Sequence, residues 1–294
     1  WWETIGARAS FVLLGITAIY LLFKFRTRRL QKQRRILQRK VDFRTTEIKE
    51  KNEKLEIQQR KILKQSRNIE SSILYAERIQ TAILPIHKNI SKLLSEYFVL
   101  FKPRNIVSGD FYWMTEKGGK TIVAVVDCTG HGIPGALTAM VGTTLLDKIV
   151  GFRNVYEPNQ ILEQLHDEIE ESFDGGQTQS YYGMDLSLVR IEKKPPNEVK
   201  VTFSAAKRPL YYVLPNTNVL VEVKGTHRMI GGRNVKRDFV TQEFIFPQGT
   251  LIYMGTDGFA DQGDAQGKRF GTQNLKQLLS QISDLSLENQ AIVL

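Results

Sequence analysis

The sequence carries a single cysteine, Cys128, so no internal disulfide can form and a reducing compartment suits it. Its four histidines and one cysteine show no zinc-ligand spacing. No Gly-x-Gly-x-x-Gly follows an apolar strand, which disfavours a dinucleotide-binding fold. A Gly-rich ATP lid and an Asn-containing helix are both missing, so a receptor histidine kinase fits only the first part of the chain; His87, just after Pro85, is poorly placed as a phosphoacceptor. From about residue 30 to 84 there is neither proline nor glycine, the composition of one long helix.

The net charge of +10 is not spread evenly. Residues 24–72 hold 17 Lys/Arg against 6 Asp/Glu, and the remainder holds 24 against 25. A nucleic-acid-binding fold would carry its basic patch on the folded domain, so nucleic-acid binding is not expected. Residues 5–25 form an apolar run that would rise about 31 Å as a helix, close to a bilayer's hydrocarbon thickness. Trp1 and Trp2 precede it, and Lys24, Arg26, Arg28, Arg29, Lys32, Arg34 and Arg35 follow it. Amphipathic rings at one end and cations at the other predict a single membrane span with the following residues in the cytoplasm. A signal peptide would carry its cations before the run. Because Trp1 stands almost at the membrane, the chain is expected to be a piece of a longer receptor.

Val41, Ile48, Leu55, Ile62, Ile69, Ala76 and Ile83 recur every seventh residue, while the companion heptad position is mostly polar (Arg44, Lys51, Gln58, Gln65, Ser72). This pattern predicts a weak, register-tolerant parallel dimeric coiled coil rather than a lone solvated helix. Pro85 ends it. Beyond, nine short β-rich runs follow: 97–101, 111–114, 121–126, 184–191, 199–204, 210–214, 219–223, 239–246 and 251–254. Helical patterns interrupt at about 134–150, 158–173 and 272–282. Hairpin-like succession with few helices argues for an α+β domain of antiparallel sheets covered by helices. The expected division is 1–29 transmembrane helix and flanks, 30–84 coiled-coil signalling helix, and 85–294 catalytic domain.

Three aspartates sit at the mouths of apolar strands or loops: Asp110 in Ser108-Gly109-Asp110-Phe111, Asp127 in Val125-Val126-Asp127-Cys128, and Asp257 in Gly255-Thr256-Asp257-Gly258. Alone, an Asp-Gly pair reads as a turn. Three carboxylates gathered together need cations, and an oxygen-only set selects Mg²⁺ or Mn²⁺. Two such ions activate water and hold phosphoryl oxygens for in-line displacement.

Four ordered motifs carry a resemblance: Pro103-Arg104-Asn105-Ile106-Val107-Ser108-Gly109-Asp110-Phe111-Tyr112-Trp113, Val125-Val126-Asp127-Cys128-Thr129-Gly130-His131-Gly132-Ile133-Pro134-Gly135-Ala136, Phe203-Ser204-Ala205-Ala206-Lys207-Arg208-Pro209-Leu210-Tyr211, and Gly255-Thr256-Asp257-Gly258-Phe259-Ala260-Asp261-Gln262. Over about residues 75–294 the sequence resembles the RsbU/SpoIIE-type branch of metal-dependent serine/threonine protein phosphatases (the PPM family). The resemblance implies an antiparallel β-sandwich flanked by helices, with a centre of two divalent cations, Mn²⁺ or Mg²⁺, at one edge. It implies that Asp127 bridges the metals, that the Cys128 carbonyl and Asp257 are ligands, and that Asp110 binds directly or through water. The loop Gly130-His131-Gly132 would shape the floor. Arg104 reads equally as a phosphate ligand or a surface cation, Asp185 as a further metal ligand or a solvent-facing carboxylate, and His131 as loop packing or a general acid.

The implied protein is a single-pass signalling phosphatase of a bacterial cytoplasmic membrane with its catalytic domain in the cytoplasm. Its substrate would be a phosphoserine/phosphothreonine protein such as an anti-sigma-factor antagonist, and it would be a homodimer through the coiled coil. The sequence departs from the family in one respect: an Asp-Asp-Ile-Thr-like segment expected near the C-terminus does not precede Ala291-Ile292-Val293-Leu294. Weak or absent activity is therefore expected of residues 1–294, either because the chain stops before that ligand or because the domain binds metal incompletely, and a non-catalytic phosphoprotein-binding module is the alternative.

Overall fold

The computed structural model describes residues 5–85, 87–173, 182–231 and 238–294. Trp1 and Trp2, expected at a membrane interface, lie outside them.

A continuous helix, α1 (Ile5–Ile83), runs through both the apolar segment and the heptads. It stops two residues before Pro85, whose ring disfavours helical geometry in the residue preceding it. Residues 1–70 form one compact unit and residues 71–294 another. Within the first unit the apolar side chains, from Phe11 to Phe23 and at Val41, Ile48, Leu55, Ile62 and Ile69, are all exposed. Among the described residues, two helices are long and apolar enough to cross a membrane: α1, and the helix that begins at Gly132. The second is largely buried in the folded unit.

The second unit opens with the end of α1 and the short α2 (His87–Leu93), of which His87 is the first residue. Strands β1 (Asp110–Lys117), β2 (Lys120–Cys128), β3 (Met184–Lys194) and β4 (Glu198–Ala206) follow in antiparallel succession, and β7 (Gln242–Pro247) closes the sheet in the order β1-β2-β3-β4-β7. A second sheet has the order β6-β5-β8, from β5 (Leu210–Val213), β6 (Leu220–Val223) and β8 (Leu251–Met254). Helix α3 (Gly132–Leu146), extended by a π-helical turn over Asp147–Phe152, and α4 (Pro158–Phe173) lie in chain order between β2 and β3. Helices α5 (Thr272–Ile282) and α6 (Leu287–Val293) end the chain.

The strand period of two decides what each face holds. On β2, Ile122, Ala124, Val126 and Cys128 are buried against Leu146, Ile149, Ile161 and Leu165 of the α3–α4 layer. The alternate face packs Val189, Val201 and Phe203 against Leu210 and Val223 of the second sheet. Tyr211, Val213 and Tyr253 then meet Leu279 and Ile282 of α5. The result is four layers, helices–sheet–sheet–helices, with each fully buried large apolar side chain worth about 1.5–3 kcal/mol.

Eight of the nine expected strands form. The exception is 97–101, which is not part of either sheet. Its side chains satisfy the packing instead: Phe101 meets Tyr112 edge-on with ring centroids 5.9 Å apart, and Phe98 joins the cluster around Tyr211 and Tyr253.

Candidate functional site

Register, not sequence proximity, assembles the acidic residues. In the β1–β2 ladder Asp110 is the cross-strand partner of Asp127, and in the β2–β3 ladder Asp127 is the partner of Asp185. Three carboxylates therefore stand in a row at one end of the first sheet. Because Phe111, Val126, Cys128, Met184 and Leu186 point into the helix layer, the alternation turns all three aspartates toward the second sheet. Asp257 comes from the loop after β8 of that second sheet. Thr256 Oγ1 donates to Asp110 Oδ2 at 2.7 Å, which fastens this loop to the row.

Glycine makes the surrounding loops possible at two positions. A Cβ on Gly109 would stand 2.8 Å from the Gly130 carbonyl oxygen, and one on Gly135 would stand 2.5 Å from the same atom. The loop before β1, the turn after β2 and the start of α3 thus approach at backbone distance. Gly130 (φ 95°) and Gly132 (φ 65°) take left-handed conformations in that turn. Thr129 closes it by bonding Gly183 before β3, with Thr129 N and Oγ1 each 2.8 Å from the Gly183 carbonyl. His131 is the N-cap residue of α3, exposed and without a side-chain capping bond.

The loop carrying Asp110 is also held from behind. The buried side-chain amide of Gln80, near the end of α1, donates to the Ser108 carbonyl at 2.6 Å and accepts from the Ser108 N–H at 2.9 Å. Ser108 Oγ in turn accepts from the Asp110 N–H at 3.0 Å.

Burial is the main electrostatic influence on Asp110 and Asp127. It lifts the Asp110 carboxyl above the ordinary aspartate value. Burial, reinforced by the negative charge of Asp110, pushes Asp127 up to about 7. Burial also raises the Cys128 thiol, with Asp127 and Asp110 adding to the effect. The thiol faces the core, so it is no nucleophile, and only its backbone could serve the site.

The cation in this cluster is Arg208. Its Nη2 donates to Asp127 Oδ2 and, at 2.7 Å, to Asp257 Oδ2, and lies 4.0 Å from Asp185. Lys207 adds an ion pair to Asp185 at 3.1 Å. Arg104 is exposed on the loop before Ser108; the guanidinium that meets the carboxylates belongs to Arg208, for which the sequence suggested no role. Lys207-Arg208-Pro209 between two strands was the available signal. A cleft of about 1700 Å³ opens here, lined among others by Asp110, Arg208, Thr256, Asp257, Tyr112 and Tyr211.

The donor chemistry fits divalent cations. The set is all oxygen, two of its members are held above their normal pKa chiefly by burial, and a side-chain cation already bridges carboxylates of the two sheets. Among the described residues no group of three or more His, Cys, Asp or Glu side chains stands in a ready-made ligating arrangement.

Two solved structures similar to this chain are the following. The SiaA-PP2C domain of Pseudomonas aeruginosa is similar at 32% identity and a TM-score of 0.67, covering 78% of this chain and 88% of that one. The PP2C domain with a regulatory fragment of SpoIIE from Bacillus subtilis is similar at 21% identity and a TM-score of 0.46, covering 64% and 54%. No curated protein sequence matches. The fold and the SiaA likeness define a PP2C-type domain, a metal-dependent serine/threonine phosphatase. The family model of stage II sporulation protein E (SpoIIE) matches residues 117–293, and the chain belongs to that family.

Proposed function

We propose that the protein is a membrane-tethered signalling phosphatase that removes phosphate from phosphoserine or phosphothreonine on a protein substrate. The observation that carries the reading is the row Asp110–Asp127–Asp185, one residue on each of three paired strands, met by Asp257 from the opposite sheet. On this reading Asp127 is the central ligand, Asp257 and Asp110 flank it, the Cys128 carbonyl contributes a backbone oxygen, and Asp185 serves a further ion. Divalent cations bound here would acidify water and neutralise phosphoryl oxygens. The chain's own contribution is to fix the carboxylates: the strand register sets their spacing, Thr256 orients Asp110, and Gly109, Gly130 and Gly135 let the surrounding loops approach at backbone distance.

The resemblance noted for the sequence suggests an anti-sigma-factor antagonist as substrate. Residues 5–25 support a membrane span, and the heptads support a parallel homodimer that carries a signal along α1 toward Pro85. Residues 1–29, 30–84 and 85–294 would then be anchor, transmitter and catalytic domain. Manganese titration of the full-length protein with a generic phosphoester tests the centre. Hydrolysis should rise with Mn²⁺ and fall at least about a hundredfold in Asp127→Asn and in Asp257→Asn, the scale of losing a metal or its orientation. Retained turnover in either variant would refute the assignment.

A further inference from the structure

Arg208 occupies the middle of the site, yet the chemistry above does not call on it. Its backbone is fixed on the turn between β4 and β5: Lys207 N–H donates to the Thr226 carbonyl at 2.8 Å, and Arg208 N–H to the Ala206 carbonyl at 2.7 Å. From there the side chain reaches over the acidic row, and one nitrogen serves carboxylates from both sheets. Its Nε is buried without a hydrogen-bond partner among the described residues, so the guanidinium is held by its contacts to the carboxylates rather than by a full set of its own bonds.

A Mg²⁺-sized ion binds carboxylate oxygens at about 2.0–2.1 Å. An ion taking the same Asp127 and Asp257 oxygens would have to lie between them, in the volume that Nη2 fills. Guanidinium and ion are therefore mutually exclusive at that point. We propose that Arg208 is an intramolecular competitor of the divalent cation. It holds Asp127 and Asp257 together in the metal-free protein and must turn out of the site before they take a metal. The inference rests on the reading of these aspartates as metal ligands.

Two consequences follow from mutual exclusion. The metal-free site is preassembled, because a positive charge offsets the repulsion that would spread the aspartates. The metal-bound site is reached at a lower affinity than the bare carboxylates would give, since an ion pair at a partly buried position is given up.

Isothermal titration of Mn²⁺ into the full-length protein tests this. Arg208→Gln should bind Mn²⁺ about tenfold more tightly than wild type, and its metal-free form should melt at a lower temperature and gain more from added Mn²⁺. Arg208→Lys, whose single ammonium cannot reproduce the planar fork, should fall between the two, and it decides the matter if Arg208→Gln does not fold. Unchanged or weaker Mn²⁺ binding in these variants overturns the competitor, provided Asp127→Asn abolishes binding. Undiminished Mn²⁺ binding by Asp127→Asn overturns the metal site itself, and the competitor with it.

Discussion

Asp127 is flanked by Asp110 on one strand and Asp185 on the other, and that placement has a measurable cost. Its folded-state pKa of about 7 lies above the ordinary 3.8 because burial and the Asp110 charge disfavour ionisation. The stabilisation tied to this proton is complete below the unfolded value and lost as the pH rises through the folded one. The metal-free protein should therefore lose stability between about pH 4 and pH 7, Asp127→Asn should flatten that decline, and Mg²⁺ should offset it at neutral pH. Thermal melts at one-unit pH intervals check this; a wild-type profile that rises across the window contradicts it. At this scale the sequence was partly legible. Asp127 and Asp257 could be picked out because each ends an apolar strand, and Asp110 because it ends a Gly-containing loop just upstream. Asp185 stayed ambiguous because a strand-edge carboxylate has the same pattern whether it meets a site or water. Arg208 escaped because its partners lie 81 and 49 residues away, a separation that only the β4–β5 turn and the stacking of two sheets can close.

Among the elements, the end of α1 has the most direct hold on the site. Gln80 engages both backbone groups of Ser108, two residues before Asp110, as an added strand would. Gln80→Ala removes two bonds and leaves a half-buried N–H and carbonyl without them, so it should destabilise the folded unit by about 1–3 kcal/mol. It should also lower turnover by loosening Asp110. Gln80→Glu separates the two bonds: its carboxylate still accepts from Ser108 N–H, but at neutral pH it buries a charge against the Ser108 carbonyl. A loss at least as large is therefore expected, and it should shrink at acid pH, where the side chain is protonated and can donate. Denaturant midpoints and kcat for the pair are the measurement, and equal wild-type behaviour in both would mean that the clamp is incidental. The contact could not be read beforehand. Gln80 lies in a charged heptad region where a polar residue reads as solvated, and its burial depends on a loop 28 residues further on. Strand positions were legible wherever alternation met a buried face, as in β2. They failed at 97–101, where the apolar content was right but β1 is the sheet's edge strand and pairs only with β2.

Across the whole molecule, charge and apolarity are segregated along the sequence. Residues 24–72 carry an excess of 11 cations, from 17 against 6, and directly follow the exposed apolar run from Phe11 to Phe23. Two kinds of membrane attachment are compatible with such a layout, and they respond differently to salt. Basic residues near an anionic surface contribute about 1 kcal/mol each, and that attraction is largely screened at 1 M salt, where the Debye length is about 3 Å. A 21-residue apolar helix across the hydrocarbon core is indifferent to salt. Full-length protein mixed into vesicles containing phosphatidylserine should therefore stay with the lipid through a 1 M NaCl wash and leave only with detergent. A protein of residues 71–294, which has its own core and neither segment, should remain in the supernatant at every lipid composition. Release of the full-length protein by salt alone would reduce residues 5–25 to a surface contact. The heptads would then have no fixed end from which to transmit a change of register to Pro85, so the same wash also tests whether α1 can act as a signalling helix.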